Sequence, residues 1–104
     1  MVETRRHERR QDKRIPFIKE VEVIGVGMFR CTNLSARAMY LETAYSFPLG
    51  TVLDLRFKLH ETDEHLINVQ ARVAHSHEGS GFGLYFFSLM LEHRKRIEKF
   101  IEQT

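Results

Sequence analysis

The chain has 104 residues, of which 42% are hydrophobic and 29% charged, with eight Phe, no Trp and a formal net charge of +2. That is enough apolar content and length for one modest core, and it excludes both two domains and wholesale disorder. Six Arg/Lys against three Asp/Glu give residues 1–14 a charge of +3, while the rest of the chain, with ten against eleven, stands at −1. A basic arm on a near-neutral body implies a local anionic partner more than a wholly basic surface. One cysteine, Cys31, excludes an intramolecular disulfide and reads as a small half-buried strand residue. No apolar run reaches the roughly 18 residues needed to span a bilayer and no signal-peptide core follows the start, so a cytoplasmic protein is expected.

Residues 1–14 have almost no apolar side chains and no period, which predicts an arm that stays flexible until something orders it. Arginines at 5, 6, 9, 10 and 14 give the spacing Arg-x-x-x-Arg three times, and only the pair Arg10/Arg14 abuts the folded part. Position therefore favours Arg10 and Arg14 as the working pair, with Arg9 beside them; the plainer alternative is a solvated solubility arm. The domain proper is expected to run from 15 to 104.

Pro16 biases Ile15 toward extended geometry, so Phe17 onward should enter a strand. Val21 and Val23 alternate with Glu20 and Glu22, the period of a strand with one wet face. Gly25 and Gly27 predict a hairpin, with Met28–Thr32 returning as the second strand. Antiparallel pairing would then deliver Asn33 and Ser35 close to the point where the arm enters. The stretch Asn33-Leu34-Ser35-Ala36-Arg37-Ala38 reads as a short polar loop before the strand-like Met39-Tyr40-Leu41. Short Asn and Ser side chains hold turns by bonding nearby backbone, yet they keep donors and acceptors for a ligand.

Pro48-Leu49-Gly50 marks a turn, and Leu53, Leu55, Phe57 and Leu59 then alternate with Asp54, Arg56 and Lys58 as the clearest strand in the chain. A charged hairpin loop at 61–64 leads to Ile67, Val69, Ala71 and Val73, alternating with Asn68, Gln70 and Arg72. Because His75 and His77 share parity with Val73, they are expected where that strand leaves the barrel, near its rim. Gly79, Gly81 and Gly83 interrupt the last strand. Ser88 is the expected N-cap of a closing helix, without a capping box, and Met90, Ile97, Phe100 and Ile101 form its apolar stripe. That helix reads as a lid on the barrel or as a partner-binding face. Strands with one apolar face each cannot bury themselves singly, and five or six of them should close into an antiparallel barrel.

Arg10-Gln11-Asp12-Lys13-Arg14, then Asn33-Leu34-Ser35-Ala36-Arg37-Ala38, then Gly81-Phe82-Gly83-Leu84-Tyr85-Phe86 before a charged helix resemble, in this order and spacing, the PilZ family. The resemblance covers nearly the whole chain. It implies a six-stranded antiparallel β-barrel capped by a C-terminal α-helix, and a non-catalytic receptor that binds cyclic di-GMP. The family motifs are Arg-x-x-x-Arg before the barrel and Asp/Asn-x-Ser-x-x-Gly after the first long strands. Carried over residue by residue, the expected ligand contacts are Arg9, Arg10, Arg14, Asn33, Ser35 and Ala38. His75 falls about where the family sometimes has an aromatic side chain against the ligand's base, which implies a stacking role. Ala38 departs from the motif's final Gly; a left-handed backbone there would cost about 1 to 2 kcal/mol and weaken binding.

Guanidinium forks suit both the phosphates and the guanine O6/N7 edges of such a ligand. Binding would order the arm and present it to a downstream protein partner around Arg37 and Tyr40, from a monomer or a weak homodimer. The rival expectation is a PilZ-like protein-interaction adaptor that has lost nucleotide binding. No metal is expected, because neither Cys nor carboxylate joins the six histidines at ligand spacing. No enzyme is expected either: Ser35 has no His and carboxylate arranged around it, and the phosphate-cradling Gly-x-x-x-x-Gly-Lys-Ser/Thr is absent. Nucleic acid is not an expected partner, since residues 1–14 contain no Phe, Tyr or Trp on which a base could stack.

Overall fold

The computed structural model describes residues 13–104. Six antiparallel strands and one helix follow in order: β1 (Ile15–Val23), β2 (Gly27–Leu34), β3 (Ala38–Glu42), β4 (Val52–Phe57), β5 (Ile67–His77), β6 (Gly81–Leu89) and α1 (Leu91–Glu102). The strands close into a barrel in the order β1-β2-β3-β6-β5-β4. Closure removes the free edges that a short antiparallel sheet would otherwise expose. The expected basic arm at 1–14 lies almost wholly outside the described residues, and with it Arg9 and Arg10.

Alternation does the sorting. On β4, Leu53, Leu55 and Phe57 are buried while Val52, Asp54 and Arg56 face solvent, and β5 repeats the pattern from Ile67 to Val73. The inward side chains of all six strands meet in one core, with Val21, Leu41, Leu55, Phe82 and Leu84 at 2% exposure or less. Cys31 is one of these inward residues. Burial pushes its thiol up to about 12, with the backbone bonds of Asn33 and Tyr40 opposing, so it stays protonated and unreactive.

Helix α1 closes one end of the barrel. His93, Ile97 and Ile101 are buried, and Phe100 packs edge-on against Phe17 at 5.5 Å between ring centroids. The start of this helix differs from the sequence expectation. Ser88 belongs to β6, and the N-cap is Met90 in extended geometry with no side-chain cap bond. Met90 is consequently exposed, and His93 takes the first inward position of the stripe, its Nδ1 within hydrogen-bond reach of both the N–H and the carbonyl of Asn68. The pull of strand pairing, which extends β6 through the Gln70–Ser88 and Val69–Leu89 partners, outweighs the local capping preference of a serine.

The loop between β4 and β5 is tied to α1 by one carboxylate. Asp63 Oδ2 accepts the backbone N–H groups of Leu59 (3.2 Å) and His60 (3.0 Å) and the Nη2 of Arg96 from α1 (3.2 Å). The bond from the His60 N–H, then that from Leu59 and the nearby Arg96 charge, hold the Asp63 carboxyl below the usual carboxylate range against the opposing effect of burial.

Candidate functional site

The hairpin turn after β1 runs through Gly25 at φ +81°, a left-handed angle that suits glycine. It sends β2 back so that Ile15 pairs with Leu34 and Pro16 with Asn33. The entry of the arm and the Asn33 motif therefore meet across two strands. Arg14 is exposed there, and its Nη1 donates to Asn33 Oδ1 at 3.2 Å. The Nδ2 donors of Asn33 have no partner among the described residues.

From this contact a single row of residues crosses the outer wall. Pro16 pairs with Asn33, Asn33 with Tyr40, Tyr40 with Gly83 and Gly83 with His75, so the row passes through β1, β2, β3, β6 and β5. The rings of Tyr40 and His75 stack at 6.2 Å with 27° between their planes. His77 joins them, Tyr40 Oη and His77 Nδ1 sharing a hydrogen bond of 3.0 Å. One end of the row is cationic and amide-bearing, and the other is an aromatic shelf.

The histidines reach this shelf by a route that parity does not predict. The ladder between β5 and β6 shifts register between Val73 and His75, so Val73 points inward, while Ala74, His75 and His77 are all exposed. The bulge, one extra residue on β5, turns the pair out onto the wall. Tyr40, half-buried and central in the row, is placed by the sequence beside Arg37 on a partner-facing surface; its isolated position in sequence gives no sign of its place beside His75.

Ser35 and Ala38 lie at the edge of this row. The polar loop is shorter than the sequence suggests, because Asn33 and Leu34 belong to β2 and Ala38 opens β3. Ser35 is 4% exposed, and its Oγ accepts the N–H of Ala38 (3.1 Å) and of Arg37 (3.3 Å) and donates to the Ala38 carbonyl (3.4 Å). The hydroxyl is thus engaged in holding the turn. Ala38 is buried, and no described residue other than glycine has a positive φ, so the left-handed cost conditionally attached to Ala38 does not arise.

Among the described residues no three of His, Cys, Asp and Glu come together as a metal set, and no helix is long and apolar enough to cross a membrane.

A six-stranded closed barrel with a C-terminal helix, an arginine at its entry and an Asn-x-Ser turn beside it describes a small ligand- or partner-binding module. The PilZ domain model matches residues 4–103, and the chain belongs to the PilZ family. Among solved structures, the Bacillus subtilis inhibitor of motility, MotI/DgrA, superposes with a TM-score of 0.79 at 20% identity, over 91% of this chain and 50% of that one. The chain thus spans about half the length of that neighbour. An uncharacterized Legionella protein gives a TM-score of 0.59 at 12% identity, over 88% and 91% of the two chains. A pathogenic Xanthomonas campestris protein, described as a tetrameric PilZ domain self-assembled through a helical bundle, gives 0.56 at 16% identity, over 74% and 44%. No curated protein matches the chain in sequence.

Proposed function

We propose that this PilZ domain is a non-catalytic receptor for cyclic di-GMP, which it binds along the row from Arg14 to His75. The observation that carries this reading is the Arg14–Asn33 hydrogen bond, which brings the two family motifs into contact at one end of an exposed aromatic shelf. Arg14 and Arg10, with Arg9 in support, supply guanidinium forks to phosphates and guanine edges. Asn33 adds amide donors. Ser35 shapes the loop from within, and His75 with Tyr40 stacks on a base. Ordering the chain that carries the arginines costs about 1 kcal/mol per residue, which several charge-assisted bonds of about 1.5 to 3 kcal/mol each offset. Binding then clamps the arm, and a partner protein reads the clamped state.

A second reading is a protein-interaction adaptor without nucleotide binding. Two observations favour it: the Ser35 hydroxyl already has its bonds within the loop, and the fold resembles a protein described as an inhibitor of motility. Calorimetric titration with cyclic di-GMP, beside GTP and a short DNA duplex, separates the readings. Saturable heat with cyclic di-GMP alone is the expected result; no heat with any of the three leaves the adaptor.

A further inference from the structure

The outer wall carries a second row, one pleat away from the first. Ala38 pairs with Tyr85, Tyr85 with Arg72 and Arg72 with Val52, so this row crosses β3, β6, β5 and β4. Tyr85 and, two residues on, Phe87 stand on the solvent side of β6, each 49% exposed, and Val52 is 46% exposed. An aromatic ring half in water forgoes much of the stabilisation its burial would give, and two on adjacent outward positions of one strand form an exposed apolar patch.

Arg72 tells what the patch would hold. Its guanidinium lies over the Phe87 ring, 5.0 Å from the centroid, and it has no carboxylate partner among the described residues. The carboxylate nearest by register, Asp54 on β4, already accepts Gln70 Nε2 at 2.9 Å. A guanidinium held over a ring keeps its five N–H donors, and those of Arg72 meet no carboxylate among the described residues. Those donors fit a planar, two-oxygen acceptor. Tyr, Phe and Arg are also the side chains enriched at protein interfaces.

We propose that the Val52–Arg72–Tyr85–Phe87 wall is a docking surface for a segment of another protein that carries a carboxylate beside a large apolar side chain. The carboxylate takes the Arg72 fork, and the apolar side chain lies on Tyr85 and Phe87. The surface borders the ligand loop, since Ala38 is the Tyr85 partner and the Phe86 N–H donates to the Arg37 carbonyl at 2.7 Å. It does not depend on nucleotide binding.

The test uses the full chain without nucleotide, panned against a random dodecapeptide phage library, with the selected consensus peptide then measured by fluorescence anisotropy. A consensus pairing Asp or Glu with Leu, Ile, Met or Phe is expected. Its affinity should fall about tenfold or more with Phe87→Ser and with Arg72→Gln, and by less with Arg72→Lys, which keeps the charge and loses the fork. The melting temperature should be unchanged in all three, because these side chains are exposed. A consensus without an acidic residue, no enrichment at all, or equal affinity for wild type and Arg72→Gln overturns the proposal. So does sedimentation showing a dimer that Phe87→Ser dissolves, which would make the wall a contact between copies of this chain.

Discussion

The imidazole of His75 lies over Gly83, filling the space that a β-carbon on that glycine would occupy. Gly83 has no left-handed angle, so alanine fits its backbone, and the atoms nearest to the added methyl all belong to the displaceable His75 ring. Gly83→Ala should therefore leave the melting temperature close to wild type, the gain of about 0.4 to 1 kcal/mol from a stiffer unfolded chain offsetting the disturbed contact. It should weaken cyclic di-GMP as much as His75→Ala does. Calorimetry on both variants checks this, and unequal losses would remove His75 from the binding row.

Arg14 contributes little to the fold, because an exposed pair such as its bond to Asn33 is worth about 0 to 1 kcal/mol. Arg14→Ala is expected to lower ligand affinity by about tenfold to 150-fold, the loss of one charge-assisted contact of about 1.5 to 3 kcal/mol. A thermal melt beside the titration shows whether the two effects separate. Arg14→Lys should recover only part of the affinity, since an ammonium cannot make the fork.

Ser35 should behave in the opposite way. Ser35→Ala removes the acceptor of the buried Ala38 N–H and of the half-buried Arg37 N–H and is expected to cost about 1 to 3 kcal/mol of stability. Ligand affinity should fall with it, as the loop loses its shape. Ala38→Gly is expected to leave affinity unchanged, because the position is extended strand, and to cost about 0.5 to 1 kcal/mol of stability. Chemical denaturation of the two variants tests both statements; tighter binding by the glycine variant would contradict the second.

Acid should loosen the contact between α1 and the loop at 59–63. The Asp63 carboxyl is lowered in the folded state, so its contribution is fully present above the unfolded aspartate value, about 3.9, and is lost as pH falls through the lower folded value. Asp63→Asn should therefore be less stable than wild type at neutral pH, with the gap closing toward the acid end. Parallel melting curves across this range provide the check. Glu61, lowered by its bond to Lys19, is lost in the same direction but is too exposed to matter greatly.

Much of the architecture was legible from local pattern. The alternation of Val21 and Val23 with glutamates, and of Leu53, Leu55 and Phe57 with charged neighbours, sets which face of each strand turns inward, because the pleat has a period of two. Gly25 and Gly27 mark the turn between β1 and β2, and Pro48 and Gly50 the turn that leads into β4. The approach of Asn33 to the arm followed from the simplest antiparallel hairpin.

What tertiary structure alone decided depends on register, which is set between strands and not along them. The bulge beside Ala74 reverses the direction expected of His75 and His77 and brings them to Tyr40, a residue distant in sequence. Pairing with β5 draws Ser88 into β6 and moves the helix start to Leu91, so that His93 and not Met90 faces the core. The row from Arg14 to His75, the aromatic wall beside it and the burial of Ser35 all arise from partners far apart in the chain. A local pattern records which side of a strand is apolar, but the neighbour each residue meets is chosen by how six strands share one closed core.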